Sequence, residues 1–163
     1  MVKVLFVCTG NICRSPTAEG LMRALITQQG LSGQIHVDSA GTHDYHIGEP
    51  PDPRSIQAAL TRDVDIRQQR ARAVAYEDFD GFDIIAVMDR GHRKHLLKRC
   101  PHSLQSRIVP LLSFADPPPE DIDVPDPYYG DRTFDEVFNL IDCGVAGLLA
   151  HIRQTYPLAA PVR

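Results

Sequence analysis

A cysteine and an arginine separated by five residues lie near the amino terminus, in the segment Cys8-Thr9-Gly10-Asn11-Ile12-Cys13-Arg14-Ser15. Such a pair also arises by chance, so the spacing alone is a weak signal. The setting adds weight, because an apolar run precedes the loop and a helix pattern follows it. The N–H groups of a strand-to-helix loop can turn inward as an anion nest, and the helix amino terminus adds partial positive charge. Arg14 adds a planar fork for two phosphate oxygens, so the segment predicts a phosphate-binding loop.

Cys8 is the candidate nucleophile of this loop. A thiol within such a ring of donors is expected to be a thiolate at neutral pH. We expect it to attack phosphorus in line and to form a cysteinyl-phosphate that water then hydrolyses. Arg14 and the loop amides would stabilise charge on the equatorial oxygens. The alternative interpretation of Cys8 is a buried residue at the end of a strand.

A carboxylic acid must face the thiol, because a leaving alkoxide or phenoxide needs a proton. The segment 115–132 is rich in Pro and Asp and offers two candidates, Asp116 and Asp126, each followed by a proline. The flanking prolines favour a rigid position for Asp126, and the adjacent Tyr128 and Tyr129 could form the wall of an aromatic pocket. Chemistry alone does not choose between the two acids, and either is also compatible with an ordinary turn.

The elements around the loop are predicted to alternate between strand and helix. Strands are expected over residues 2–7, 34–39, 83–88 and 107–112. Helices are expected from a Ser15 cap, with Pro16 at the first helical position, to about Gln29, where Gly30 closes the helix, and over 53–62, 91–99 and 133–155. This order predicts one α/β domain whose parallel sheet is covered by helices on both faces, with a ligand site beyond the carboxyl ends of the strands. The tail 157–163 is predicted to fray.

The charge balance excludes several function classes. The 163 residues include 17 Lys and Arg against 21 Asp and Glu, a net charge of −4. Without a basic excess we expect neither nucleic-acid binding nor docking to anionic membranes, and the net charge predicts no docking patch for a protein substrate. No apolar run approaches the roughly 20 residues of a membrane span, and no export signal is evident. A cytoplasmic protein with reduced thiols is expected.

The other cysteines point to no further chemistry. Cys100 and Cys143 are expected to be packing residues. A zinc site is the alternative for four cysteines, but the chain contains no Cys-x-x-Cys pair and no Cys–His pairing at finger spacing. We therefore expect neither a metal nor a cofactor.

Residues 4–19, with the sequence VLFVCTGNICRSPTAE, resemble the signature of the low-molecular-weight protein tyrosine phosphatases. The segments 38–42, 87–89 and 126–130 match the family in the same order, and the resemblance covers nearly the whole chain. It implies a flavodoxin-like, four-stranded parallel sheet flanked by helices. It also implies metal-free, two-step hydrolysis of phosphomonoesters, with phosphotyrosine-containing proteins as substrates.

The resemblance also assigns roles position by position. Cys8 becomes the nucleophile, Arg14 the phosphate-binding arginine and Asp126 the general acid, which later serves as base for the hydrolytic water. The loop that would hold inorganic phosphate or another oxyanion comprises Thr9, Gly10, Asn11, Ile12, Cys13, Arg14 and Ser15.

Further residues are expected to support the site. Four side chains are expected to brace the loop, with simple loop hydrogen bonding as the alternative role: Asn11, Ser15, Ser39 and Asp89. The Ser15 hydroxyl would ease the departure of sulfur. Five residues are expected at the substrate rim: Thr9, Ile12, Tyr45, Tyr128 and Tyr129. Cys13 matches members in which the nucleophile forms a reversible disulfide, and packing is the alternative for it.

Departures from the family and rival functions narrow the interpretation. Some members carry a His in the segment that corresponds to 64–74, where this chain has none. Phosphoarginine phosphatases share the loop, but an apolar Ile12 favours an aromatic ring over a phosphoguanidinium. An arsenate reductase of the same fold needs relay cysteines after the third strand, and 81–98 contains none. A catalytically inactive phosphopeptide-binding module would be expected to lack Cys8, Arg14 or Asp126. We expect a monomer, with a weak dimer as the alternative.

Overall fold

The computed structural model describes residues 1–128 and 133–160. The strands are β1 (Val2–Cys8), β2 (Ile35–Gly41), β3 (Ile84–Val87) and β4 (Ile108–Pro110). The α-helices are α1 (Arg14–Gln28), α2 (Pro53–Leu60), α3 (Asp78–Gly81), α4 (Arg90–Leu97) and α5 (Phe134–Thr155). Two short 3₁₀ helices cover His102–Arg107 and Leu111–Phe114.

The four strands form one parallel sheet in the order β2-β1-β3-β4. This confirms the predicted four-stranded parallel sheet with flanking helices. The chain moves from β1 to one side for β2 and to the other side for β3, so the strand order reverses at β1. A crevice opens at such a point, beyond the carboxyl end of the strand. The loop after Cys8 therefore leaves β1 where a parallel sheet binds ligands.

Buried side chains lie on both faces of the sheet. Along β1, Val4 and Phe6 belong to a core shared with α1 and α5, whereas Leu5 and Val7 belong to a second core that contains Leu96 of α4. Burial on both faces is the reason that β1 reads as a continuous apolar run rather than an alternating one. The strand that carries the loop is thereby fixed from both sides.

The start of α1 differs from the prediction. The helix begins at Arg14 directly after Cys13, and no side chain caps it. Ser15 does not act as the cap, because its hydroxyl contacts the Cys8 sulfur and the Asn11 amide instead. Gly30 does close the helix as predicted, with φ of 69° in the left-handed region that glycine adopts at low cost.

Other boundaries shift by at most two residues, and the prediction missed α3 and both 3₁₀ helices. Cys100 is buried as expected, but the packing prediction for Cys143 was wrong because this residue is exposed. Cys143 lies on α5 two residues beyond buried Ile141, which turns it away from the core stripe.

The described end of the chain is held by a side chain. Ala159 exchanges two hydrogen bonds with the Gln34 amide, of 2.6 and 3.3 Å. Residues 161–163 lie outside the described part, so fraying stays a prediction. In residues 1–128 and 133–160, no helix is both long and apolar enough to cross a membrane.

Candidate active site

In the loop after β1, backbone carbonyl groups are hydrogen-bonded whereas the backbone N–H groups are not. Its carbonyl groups accept from outside the loop, since Cys8 O bonds Thr42 N at 2.8 Å, Thr9 O bonds His43 N at 3.0 Å and Ile12 O bonds Asp52 N at 2.8 Å. Within residues 1–128 and 133–160, by contrast, no acceptor is paired with any N–H group from Thr9 to Ser15. Because these carbonyls bond outside the loop, the N–H groups are left to converge on an anion.

Two residues allow this conformation. Asn11 adopts φ of 58°, which asparagine tolerates better than most side chains. Its amide donates to Ser15 Oγ at 2.8 Å and to Ser39 Oγ at 2.9 Å, and its oxygen accepts from Arg72 N at 3.0 Å. Gly41 lets the end of β2 approach the loop, because a Cβ there would lie 2.6 Å from Thr9 O.

Ser15 is positioned to donate to the sulfur of Cys8. The two side chains are buried, and Sγ lies 3.0 Å from Oγ. The Ser15 oxygen accepts from the Asn11 amide, and its proton has two acceptors within reach, the sulfur at 3.0 Å and the more distant Ala40 carbonyl at 3.4 Å. A hydroxyl in that position stabilises a thiolate, both before attack and when it departs.

Arg14 is held from several sides. Nη1 donates to Asp89 Oδ2 at 3.1 Å and to the carbonyl of Val124 at 2.9 Å. Nη2 lies 3.4 Å from both Thr9 Oγ1 and Asp126 Oδ2. Only 3% of Arg14 is exposed, yet its buried Nε has no partner in the described residues. A buried, unpaired donor is costly and indicates that an acceptor belongs there.

His92 is a member of the site that the sequence analysis missed. Burial and then the positive charge of Arg14 lower the pKa of His92 to about 4, so the ring is neutral at pH 7. Nδ1 lies 3.2 Å from Asp89 Oδ1 without hydrogen-bond geometry, and this carboxylate favours the tautomer with a proton on Nδ1. Nε2 can then accept from the Thr9 hydroxyl at 2.8 Å. The only sequence signal was position, since His92 stands three residues after the matched Asp89.

Asp89 links the loop to α4. Its Oδ1 accepts from His92 N at 2.8 Å as the cap of the helix, and its Oδ2 accepts from Arg14. Burial raises the pKa of Asp89, but the neighbouring His92 and Arg14 outweigh burial and hold this pKa below its usual range. Asp89 therefore stays ionised and anchors the guanidinium.

Of the two candidate acids, the structure brings Asp126 to the loop. Asp126 lines the same cleft as Cys8, and its side chain is 32% exposed. The segment is anchored two residues earlier, at Val124. Its N–H donates to the Met88 carbonyl at 2.8 Å, and its own carbonyl accepts from Arg14 Nη1. Asp116 is exposed and does not line the cleft.

The cleft itself is small, about 100 Å³. Of the predicted rim residues it contains four, Thr9, Ile12, Tyr45 and Tyr128, and Tyr129 lies outside the described residues. Gly10, Cys13 and Arg14 also line it, as does His46, which the sequence analysis did not single out. The walls combine aromatic rings with the apolar Ile12, and the thiol lies among them.

Glu19, which the sequence analysis missed, supports the loop from behind through the predicted Ser39. Ser39 donates to Glu19 Oε1 at 2.8 Å, and Glu19 also pairs with Arg23 at 3.1 Å. Burial raises the pKa of Glu19, although the bond from Ser39 opposes the shift. The sequence alone did not indicate this role, because a carboxylate near a helix start is compatible with both an exposed and a buried position.

Cys13 lies beside the nucleophile in the cleft and is buried. Burial raises the pKa of Cys13 to about 12, so this thiol is protonated at neutral pH. Both cysteines are free thiols in this structure. In residues 1–128 and 133–160, no group of three His, Cys, Asp or Glu side chains is arranged to hold a metal ion.

A parallel α/β sheet with a cysteine–arginine anion loop at its switch point is typical of cysteine-dependent phosphatases. The model of the family "low molecular weight phosphotyrosine protein phosphatase" matches residues 3–157. The chain therefore belongs to the low molecular weight protein-tyrosine-phosphatases and is an enzyme of that family.

Individual relatives agree with this assignment. The chain is 41% identical over 155 residues to the low molecular weight protein-tyrosine-phosphatase YfkJ of Bacillus subtilis, covering 94% of this chain and 97% of the relative. The crystal structure of YfkJ superposes with a TM-score of 0.92, covering 96% and 98% of the two chains. The human low molecular weight phosphotyrosine protein phosphatase is 42% identical over 137 residues, covering 83% and 85%. Vibrio vulnificus Wzb in complex with benzylphosphonate is 27% identical with a TM-score of 0.79, covering 92% and 98%.

Proposed function

We propose that the enzyme hydrolyses phosphotyrosine and other aryl phosphate monoesters through a cysteinyl-phosphate intermediate. The observation that carries this proposal is the ring of unpaired donors around one thiol. Every N–H from Thr9 to Ser15 lacks an acceptor in the described residues, and so does the buried Nε of Arg14. Together these groups can donate hydrogen bonds to the oxygens of a phosphoryl group in the transition state of its transfer.

In the first step the Cys8 thiolate attacks phosphorus, so an S–P bond forms while the P–O bond to the aryl group breaks. Asp126, protonated at this stage, gives its proton to the departing oxygen, and the phenol leaves. Its position in the cleft with Cys8 supports this role. Arg14 and the loop amides stabilise the equatorial oxygens during the transfer.

In the second step Asp126, now ionised, takes a proton from water as the water oxygen attacks phosphorus. The S–P bond breaks, and Cys8 leaves as a thiolate with inorganic phosphate as the product. The 3.0 Å contact from Ser15 supports departure of the sulfur, because a hydrogen-bonded thiolate is a better leaving group.

The walls of the cleft support an aromatic substrate. Tyr45 and Tyr128 flank the opening, and Ile12 offers an apolar surface without a hydrogen-bonding group. A phenoxide also leaves more readily than an alkoxide, since the pKa of tyrosine is about 10. Phosphotyrosine is therefore favoured over phosphoserine and over phosphoarginine. The Vibrio relative is described with benzylphosphonate, an anion that carries an aromatic ring.

The arrangement of thiols supports hydrolysis over arsenate reduction. A reductase needs cysteines that relay a disulfide away from the nucleophile. Cys100 is not among the residues of the cleft, and Cys143 is exposed on α5. Cys13 alone lies beside Cys8, which suits a reversible protective disulfide rather than a relay. We further propose that the chain is one domain that acts without metal or cofactor, as a cytoplasmic monomer.

Substrate profiling tests this function. We expect kcat/KM for a phosphotyrosine peptide and for 4-nitrophenyl phosphate to exceed those for the matched phosphoserine and phosphoarginine peptides by at least about 100-fold. Vanadate and phosphate should compete, and EDTA should have no effect. Equal kcat/KM on phosphoarginine would contradict the proposed substrate class, and thiol-dependent arsenate reduction that is lost in Cys100→Ser would favour the reductase.

A further inference from the structure

Helix α4 concentrates positive charge in a chain whose net charge is −4. Residues 90–99 contain no Asp or Glu. Five cations of this stretch are exposed: Arg90, Arg93, Lys94, Lys98 and Arg99. Asp121 and Asp123 pair with Arg90, whereas neither lysine has an ion pair in residues 1–128 and 133–160. The lysines border a groove of about 480 Å³ that has Leu97 in its floor.

This face begins at the active site. Asp89, the cap of α4, holds the guanidinium of Arg14. One turn further, the His95 ring lies 5.1 Å from the His43 ring, which stacks on Tyr45 at 5.0 Å. Tyr45 lines the catalytic cleft. A continuous surface therefore runs from the mouth of the cleft across these rings to the exposed face of α4.

On the opposite side of the mouth, the described residues offer no comparable positive charge without an ion pair. Arg54, the cation there, pairs with Asp52 at 2.8 Å. The guanidinium also lies over the rings of Tyr128 and Phe134, at 5.2 and 4.6 Å from the ring centres, although 55% of the side chain stays exposed. A guanidinium paired at this distance attracts a further anion only weakly, because the carboxylate of Asp52 offsets its charge. Among the described residues, the exposed positive charge without an ion pair near the mouth thus lies on the side of α4.

We infer that the basic face of α4 docks an acidic segment that flanks the phosphotyrosine of the substrate. The inference rests on the proposed function and deepens it, by naming the class of phosphotyrosine protein. An α-helix rises about 1.5 Å per residue, which places Lys94 and Lys98 about 8 and 14 Å beyond Asp89 along the axis. An extended peptide advances about 3.3 Å per residue, so acidic residues two to four positions from the phosphotyrosine reach these lysines.

Matched peptides test the docking surface. Three phosphotyrosine peptides of equal length carry Glu, Gln or Lys at positions two to four from the phosphotyrosine, placed on either side in separate sets. We expect kcat/KM for the Glu peptide to exceed that for the Gln peptide by about 5- to 10-fold at low salt, with the Lys peptide slowest. The advantage should shrink severalfold in 0.5 M NaCl (about 4 Å screening length), because exposed ion pairs are screened.

Charge reversal then locates the effect. In the double variant Lys94→Glu, Lys98→Glu the Glu peptide should lose its advantage, while kcat/KM for 4-nitrophenyl phosphate stays unchanged. In the milder double variant Lys94→Gln, Lys98→Gln, the kcat/KM advantage of the Glu peptide over the Gln peptide should fall by about half. Lys3→Glu is the matched control, since Lys3 is exposed at the opposite, amino end of β1, and it should keep the preference.

Several outcomes would overturn the inference. Equal rates for the Glu and Gln peptides would remove it and leave the proposed function intact, whereas failure to hydrolyse any phosphotyrosine peptide would remove the proposed function itself. A preference that persists in both double variants would place docking elsewhere. Lysine-dependent sedimentation with phosphatidylglycerol vesicles, without any peptide preference, would assign the face to a membrane surface instead.

Discussion

The loop 8–15 and the segment 115–128 build one cleft by different means. Most of the loop is buried, and Asn11 bonds Ser39 of β2 and the backbone of Arg72. The acid segment crosses the surface with Asp126 one third exposed, and its firm anchor is Val124. Anion binding thus depends on a rigid, pre-organised network, whereas proton transfer depends on one adaptable carboxylate. Substitutions in the two regions should therefore fail in different ways.

Removal of the nucleophile gives the largest expected effect. Cys8→Ser should reduce kcat by about 10⁴-fold or more with every substrate, because a serine at this position is not ionised. The loop should survive, so calorimetry should still detect vanadate or phosphate binding. Cys143→Ser, which changes an exposed thiol on α5, is the control and should retain activity. Residual activity above one per cent in Cys8→Ser would contradict the role of Cys8.

Loss of the acid should show a dependence on the leaving group that loss of the nucleophile does not. Asp126→Asn should lower kcat for a phosphotyrosine peptide by about 10²- to 10³-fold. The loss should be smaller for 4-nitrophenyl phosphate, whose leaving group needs less protonation. Steady-state kinetics on a series of aryl phosphates measures this. Asp116→Asn should keep the kcat of the parent enzyme. If kcat of that variant depended on the leaving group in the same way, the general acid would be Asp116 instead.

Weakening the brace should sharpen the contrast between the two regions. Asn11→Ala leaves Ser15, Ser39 and the Arg72 amide each without one partner and puts alanine at a positive φ. We expect kcat to fall by about 10- to 100-fold and the free energy of unfolding to fall by about 1–3 kcal/mol. Equilibrium denaturation and kinetics check both, with exposed Asn139→Ala as the control. Unchanged phosphate affinity in Asn11→Ala would show that the brace is dispensable.

The smallest expected effect is the pH dependence that His92 confers. In the unfolded chain His92 takes up a proton near pH 6.5, but in the folded protein only near pH 4. Acidification between these values therefore favours the unfolded state, with a slope of at most about 1.4 kcal/mol per pH unit. Urea midpoints at pH 7 and pH 5 should drop more in the parent than in His92→Asn. Exposed His102→Asn should behave like the parent, and equal drops in all three would exclude this role of His92.

The sequence predicted the strand, loop and helix that carry Cys8 because their signals are local, whereas Asp126 was assigned only through the family resemblance. An apolar run, a glycine-containing loop and a helix pattern lie within thirty residues, so the loop 8–15 could be placed at the end of β1. The contributions of Glu19, Arg72 and His92 could not be predicted, because they depend on which distant side chains meet behind the loop. The net charge of −4 likewise gave no indication of the basic face of α4, because a sum over the whole chain does not report the charge of one helix.

Covalent trapping tests the central claim most directly. Asp126→Asn should slow hydrolysis of the intermediate, so a rapid denaturing quench during turnover of 4-nitrophenyl phosphate should capture it. We predict one phosphoryl group per molecule, mapped by peptide mass spectrometry to the sulfur of Cys8 and absent from Cys8→Ser. Full turnover with no phosphorus bound to the protein, or phosphorus bound to another side chain, would contradict the account.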